Sequence, residues 1–173
     1  MLICIPGALT SLLDVGMASL KTKGDLAELK VASDLLQRGY RIAIPYGEDH
    51  DFDLILCRDD SLERVQVKYT ESDGRVVYVR CRSSSLTNGK VRRIKHYTAR
   101  TIEWIAVYDK TTDRCYYLSA DELGNGRDLL TLRLVPTGNN QRQGIRYAEE
   151  YTEPLKRRLN LGGRQPAGPR QPI

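Results

Sequence analysis

Asp51-Phe52-Asp53-Leu54-Ile55-Leu56-Cys57 and Leu62-Glu63-Arg64-Val65-Gln66-Val67-Lys68-Tyr69 are two β-branched, aromatic-bearing runs separated by Arg58-Asp59-Asp60-Ser61. The polar break has turn composition, so the spacing predicts a hairpin of two strands. Side chains alternate across a strand. Gln66 and Lys68 therefore share one face, and Val65, Val67 and Tyr69 the other. Closing the hairpin brings Asp53 beside the Gln66/Lys68 pair. A carboxylate, an amide oxygen and a nearby backbone carbonyl make a sparse hard-cation site with an ammonium at its edge. Such a set suits Mg²⁺, which retains several waters. An aspartate opening a strand and a lysine closing one are also ordinary solvated residues, so the pair needs support from elsewhere in the chain.

That support lies upstream. Thr22-Lys23-Gly24-Asp25 resembles a capping box, and Arg38-Gly39 puts glycine where helices end, which predicts a helix from Thr22 to Arg38. At about 100° per residue, Leu26, Leu29, Ala32, Leu35 and Leu36 fill one arc, opposite Lys30, Asp34, Gln37 and Arg38. Glu28 falls inside the apolar arc. A carboxylate there is costly unless it is paired or holds a cation. Asp25 also leans that way, but it sits in the first turn, where the helix dipole favours it.

The chain has 173 residues, 40% hydrophobic and 28% charged, enough for one domain with a core that needs no staples. Residues 1–19 read as an N-terminal extension, 20–159 as the domain and 160–173, rich in Pro, Gly, Arg and Gln, as a disordered tail. Met17 offers a second translation start. The net charge of +5 is a moderate bias toward a polyanionic partner. Cys4, Cys57, Cys81 and Cys115 are far apart, and with His50 and His96 they form no zinc pattern. Free thiols in a reducing cytosol are the simplest account, and with neither an export signal nor a membrane-spanning run, a cytoplasmic location is expected.

Further along, strands are predicted at 40–44, 76–81 and 129–135, a hairpin at 104–118, a short turn capped by Ser119, and a last helix over 145–159 broken near Pro154. Asp49, His50 and Asp51 are either loop residues or a second cation site. The polar stretch 83–100 carries Ser83, Ser84, Ser85, Lys90, Arg92, Arg93, Lys95 and Arg100. Hydroxyls and cations together suit phosphate contacts, with a solvated basic loop as the alternative. Arg80, Arg82, Arg142 and Arg146 add to the basic set.

An inward Glu on the first helix, an Asp at a strand start and Gln-x-Lys on the next strand resemble the PD-(D/E)XK nuclease superfamily. The nearest likeness is to its small intron-associated homing endonucleases. Lys23-Gly24-Asp25-Leu26-Ala27-Glu28, Ile44-Pro45-Tyr46-Gly47, Glu103-Trp104-Ile105-Ala106-Val107-Tyr108 and Cys115-Tyr116-Tyr117-Leu118 extend it over most of the chain. The resemblance implies an α/β, restriction-endonuclease-like αβββαβ core with a mixed sheet, plus C-terminal strands and a helix. It implies Mg²⁺-dependent hydrolysis of DNA phosphodiesters, Mn²⁺ substituting, with Glu28, Asp53, Gln66 and Lys68 catalytic. Asp53, Gln66, the Val67 carbonyl and Glu28 would hold metal. Arg80, Arg82, Lys90, Arg92, Arg93, Lys95, Arg142 and Arg146 would seat the double-stranded DNA. One site per subunit and two strands to cut imply a homodimer or homotetramer. Two departures stand out: Phe52 replaces the superfamily's Pro, and Gln66 replaces its second acid, as in the homing branch. The rivals are a Holliday-junction resolvase or a repair or restriction nuclease on the same core, or a DNA-binding module with a degenerate site. Gln66 argues for the last, and intact Glu28, Asp53 and Lys68 argue against it.

Overall fold

The structure is a computed structural model describing residues 19–47, 50–87, 90–138 and 143–155, with the backbone alone described over 85–87 and 90–93. The expected extension and tail therefore lie outside the described residues, apart from Ser19.

Helix α1 spans Leu20–Gln37. Ser19 caps it, its hydroxyl accepting the Thr22 amide at 3.1 Å, so the helix starts two residues before the expected Thr22. Gly39, at φ +81°, ends it in a conformation that glycine adopts without a Cβ clash. Among the described residues nine strands follow: β1 Arg41–Ala43, β2 Leu54–Cys57, β3 Leu62–Thr70, β4 Val76–Arg80, β5 Arg82–Thr87, β6 Lys90–His96, β7 Trp104–Asp109, β8 Arg114–Ser119 and β9 Leu129–Arg133. Five of them form the central sheet in the order β1-β2-β3-β7-β8. Only the β3–β7 pair in it is parallel, so the sheet is mixed, as expected. β4 pairs with β9 and β5 with β6, each pair antiparallel. No helix among the described residues is long and apolar enough to cross a membrane.

Both faces of the sheet are covered. On one, Ala27, Val31 and Leu35 of α1 pack with Leu54, Leu56, Val65, Val67, Trp104 and Ala106. On the other, Ile105, Val107, Tyr116 and Leu118 meet Val77, Val79, Leu130 and Leu132. This explains why every residue of β7 is buried. It also puts Gln66, which pairs in register with Ile105, on the β4/β9 side of the sheet.

The α1 stripe differs from the wheel reading. Leu29 and Leu36 are 69% and 56% exposed. Small Ala27 and Val31 bring the helix close to the sheet, and this contact outweighs the leucine pattern. Asp34 and Lys30, assigned to solvent, lie against the sheet edge: the Tyr117 hydroxyl donates to Asp34 at 2.6 Å and Lys30 pairs with Asp113 at 2.7 Å.

The α/β class with a mixed sheet is the one observed, but the expected core order needs two corrections. α1 is the one α-helix among the described residues, because the chain runs from β3 to β7 through β4, β5 and β6. The polar, basic stretch to which no strand was assigned folds as the β5–β6 ribbon, its two strands pairing with each other. Of the C-terminal helix expected over 145–159, the described part, 145–155, forms a single 3-10 turn, Ala148–Tyr151. Ala148 and Tyr151 are drawn into the core there, and Pro154 cannot continue a helix.

Candidate active site

Asp53 precedes β2, where its amide donates to the Val65 carbonyl at 2.9 Å. Its Oδ2 accepts the Val67 amide at 2.7 Å and a short hydrogen bond from Gln66 Nε2. The same Nε2 lies 3.2 Å from the Val67 carbonyl oxygen. One point in the protein is thus bordered by a carboxylate oxygen, a backbone carbonyl and a carboxamide. Lys68 projects from the same face of β3, and its Nζ donates to the Tyr97 hydroxyl at 3.2 Å.

Burial is the largest influence on Asp53 and raises its pKa above 3.8, against opposing effects from the Val67 amide, Lys68 and Gln66. Glu28 is also raised, first by burial and then by the negative charges of Asp53 and Asp25. Two neighbouring carboxylates, both harder to ionise than usual, mark a site short of positive charge.

The divalent cation implied by the resemblance fits this donor set. Gln66 Nε2 already occupies hydrogen-bonding positions on both Asp53 Oδ2 and Val67 O. A half-turn of the amide presents Oε1 at that point and replaces a donor by an acceptor. Three oxygens of hard-ligand type then converge, with Glu28 close enough to feel the charge of Asp53. The described residues hold no group of three His, Cys, Asp or Glu side chains suited to a metal, so this mixed set is the candidate.

The structure therefore brings together Glu28, Asp53, Gln66, Val67 and Lys68. It treats the expected DNA-seating residues unevenly. Arg80 is exposed at the end of β4. Arg82 faces Asp128 at 3.7 Å, Lys95 is ion-paired with Asp51, and Arg146 donates to Glu122 at 2.8 Å. Lys90, Arg92 and Arg93 lie on β6, and Arg142 lies outside the described residues. The alternative cation site is not assembled by the described residues: His50 Nε2 bonds the Tyr46 carbonyl at 3.0 Å, Asp51 binds Lys95, and Asp49 is not described. Sequence reasoning missed Tyr97. Reading 90–97 as a strand was the available signal, since Lys95 and Tyr97 then share a face.

Residues 18–154 match the family described as PD-(D/E)XK endonuclease, and the chain belongs to that family. Among solved structures, the bacterial homing endonuclease I-Ssp6803I shares the fold at 23% identity, with a TM-score of 0.59 over 77% of this chain and 88% of that one. Archaeoglobus fulgidus Hjc, a Holliday junction resolvase, is a weaker likeness at 11% identity and a TM-score of 0.41 over 65% of this chain and 84% of that one. No curated protein sequence matches.

Proposed function

We propose that this chain is a divalent-metal-dependent endonuclease that cuts both strands of duplex DNA at a specific sequence, in the manner of a homing enzyme. The observation that carries the reading is the convergence of Asp53 Oδ2, the Val67 carbonyl and the Gln66 amide beside Lys68. Asp53, Gln66 and the Val67 carbonyl would hold Mg²⁺, or Mn²⁺ in its place, which when bound would supply charge neutralisation at the scissile phosphate and a more nucleophilic water. Lys68 brings an ammonium to the phosphate, where it offsets the negative charge that grows in the transition state. Glu28, half-buried and with a raised pKa, accepts a hydrogen bond from water and orients it.

The β5–β6 ribbon is the proposed grip. A two-stranded ribbon is of a width that the major groove admits. Its register sets hydroxyl residues opposite cationic ones: Ser83 with Lys95, Ser85 with Arg93, Thr87 with Lys90. Replacing Arg92, Arg93 and Lys95 together by alanine is expected to flatten the salt dependence of DNA binding. The slope of log K against log salt should fall by about 0.9 for each phosphate that is no longer neutralised. An unchanged slope takes the ribbon out of the interface.

The deciding experiment incubates purified protein with a supercoiled plasmid library carrying randomised inserts, and separately with a synthetic four-way junction, with and without Mg²⁺. Expected are linear plasmids broken at a recurrent sequence, only when Mg²⁺ is present, and complexes of two or more subunits per duplex in sedimentation. Paired nicks confined to the junction favour the resolvase reading. Binding without any cleavage, in Mg²⁺ or Mn²⁺, favours a non-catalytic module.

A further inference from the structure

The Lys68 ammonium is held by a phenol, and that phenol belongs to the root of the ribbon. Tyr97 is 3% exposed, and its hydroxyl accepts from Lys68 Nζ at 3.2 Å, with Nζ 4.9 Å from the ring centroid. Its backbone amide donates to the Cys81 carbonyl at 3.0 Å, which ties the chain leaving β6 to the chain entering β5. The alternation of an extended chain orders the three residues here. Lys95 reaches Asp51, two residues before Asp53, and Tyr97 reaches Lys68, while His96 between them turns to Asp128 at 2.7 Å. His96 also packs against Gly126, where an added Cβ would stand 2.9 Å from the His96 Cβ. The root is thus gripped from both sides, and the backbone sets the place of the Tyr97 hydroxyl.

We propose that Tyr97 is a positioning residue for Lys68, aligning its ammonium for the phosphate and linking that alignment to the seating of the ribbon on DNA. The inference rests on the nuclease reading above. A lysine stem is flexible and its ammonium carries three donors. The hydroxyl engages one N–H and leaves two for phosphate oxygens. A carboxylate in its place would bind the ammonium and cancel the charge that the transition state needs. The neutral phenol holds the ammonium without cancelling its charge, and the ring adds a weak attraction.

Tyr97→Phe keeps the ring and removes the hydroxyl. In single-turnover assays at saturating DNA, its cleavage rate is expected to fall about tenfold, as loss of one hydrogen bond to a charged group implies. DNA affinity without divalent ion and the melting temperature are expected to match the wild type. In a Lys68→Ala background the same change is expected to add nothing, because it acts through Lys68. A second readout needs neither DNA nor metal. In lysine-labelled protein, the Lys68 ε-methylene resonance, assigned by its loss in Lys68→Ala, is expected to move toward the free-lysine position in Tyr97→Phe. Wild-type cleavage with an unmoved resonance overturns the proposal, as does an equal slowing in the Lys68→Ala background. If the wild-type protein cuts no DNA, the nuclease reading fails and takes Tyr97's role in cleavage with it. The resonance then reports only the Lys68–Tyr97 hydrogen bond.

Discussion

Replacing Asp53 with asparagine is expected to lower DNA cleavage by about three orders of magnitude while leaving metal-free DNA binding intact. A metal site in a nuclease supplies several kcal/mol of charge stabilisation in the transition state, and Asp53 brings the carboxylate to the point of convergence. Asparagine keeps an acceptor for the Val67 amide, so the hairpin stays closed and the loss is chemical. Stability is expected to move the other way. Burial raises the folded-state pKa of Asp53 above 3.8, so the folded protein binds this proton more tightly than the unfolded chain does. The stability tied to that proton is present below about pH 3.8 and is lost as pH rises through the raised folded value. The asparagine variant removes the burden, and without metal it should melt no lower than the wild type at pH 7. Calorimetry together with single-turnover assays checks both halves. Cleavage at the wild-type rate would mean that the metal site lies elsewhere.

The second large effect concerns Gln66, which is 7% exposed and donates to Asp53 Oδ2 and toward the Val67 carbonyl. Gln66→Glu replaces that donor with a second carboxylate facing two acceptors. Without divalent ion the variant is expected to lose about 3 kcal/mol of stability, because like charges and an unmatched acceptor meet in a place with little water. Adding Mg²⁺ is expected to restore more melting temperature to the variant than to the wild type. A carboxylate is the stronger hard ligand, and preferential binding to the folded state stabilises it by mass action. Turnover need not rise, since the added negative charge opposes the scissile phosphate. Thermal melts across a Mg²⁺ titration of both proteins provide the comparison. Identical metal dependence would make Gln66 a packing residue and not a ligand.

Short-range geometry made the core of the candidate site readable from the chain. Asp53, Gln66, Val67 and Lys68 lie within one hairpin, and strand alternation alone places Gln66 and Lys68 on one face, beside Asp53 once the turn closes. The β7–β8 hairpin was legible for the same reason, being carried by dense β-branched and aromatic runs between clear turns, whereas the mixed sheet was expected from the family resemblance alone, since its parallel β3–β7 pair joins segments far apart in sequence. Glu28 was legible as a carboxylate near an apolar face, although the face itself was misplaced. Leu29 and Leu36 dominated the hydrophobic pattern, yet the sheet receives Ala27 and Val31, whose small side chains allow close approach. Hydrophobicity measures what a residue gains by burial, and only the shape of the partner decides which face is buried.

Whatever depends on partners distant in sequence emerged only on folding. The β5–β6 ribbon carries little apolar patterning because its two strands pair with each other, outside the central sheet, so they were hidden in a polar stretch. Once it forms, its root brings Tyr97 to Lys68, 29 positions away, and Lys95 to Asp51, while Arg82 and His96 are drawn to Asp128. None of those pairings has a local signature. An ion pair or a phenol–ammonium contact leaves no trace in the sequence pattern and is set by where the backbone delivers each side chain. The geometry of the candidate-site hairpin was therefore legible in the sequence, and the Lys68–Tyr97 contact was decided by the folded molecule alone.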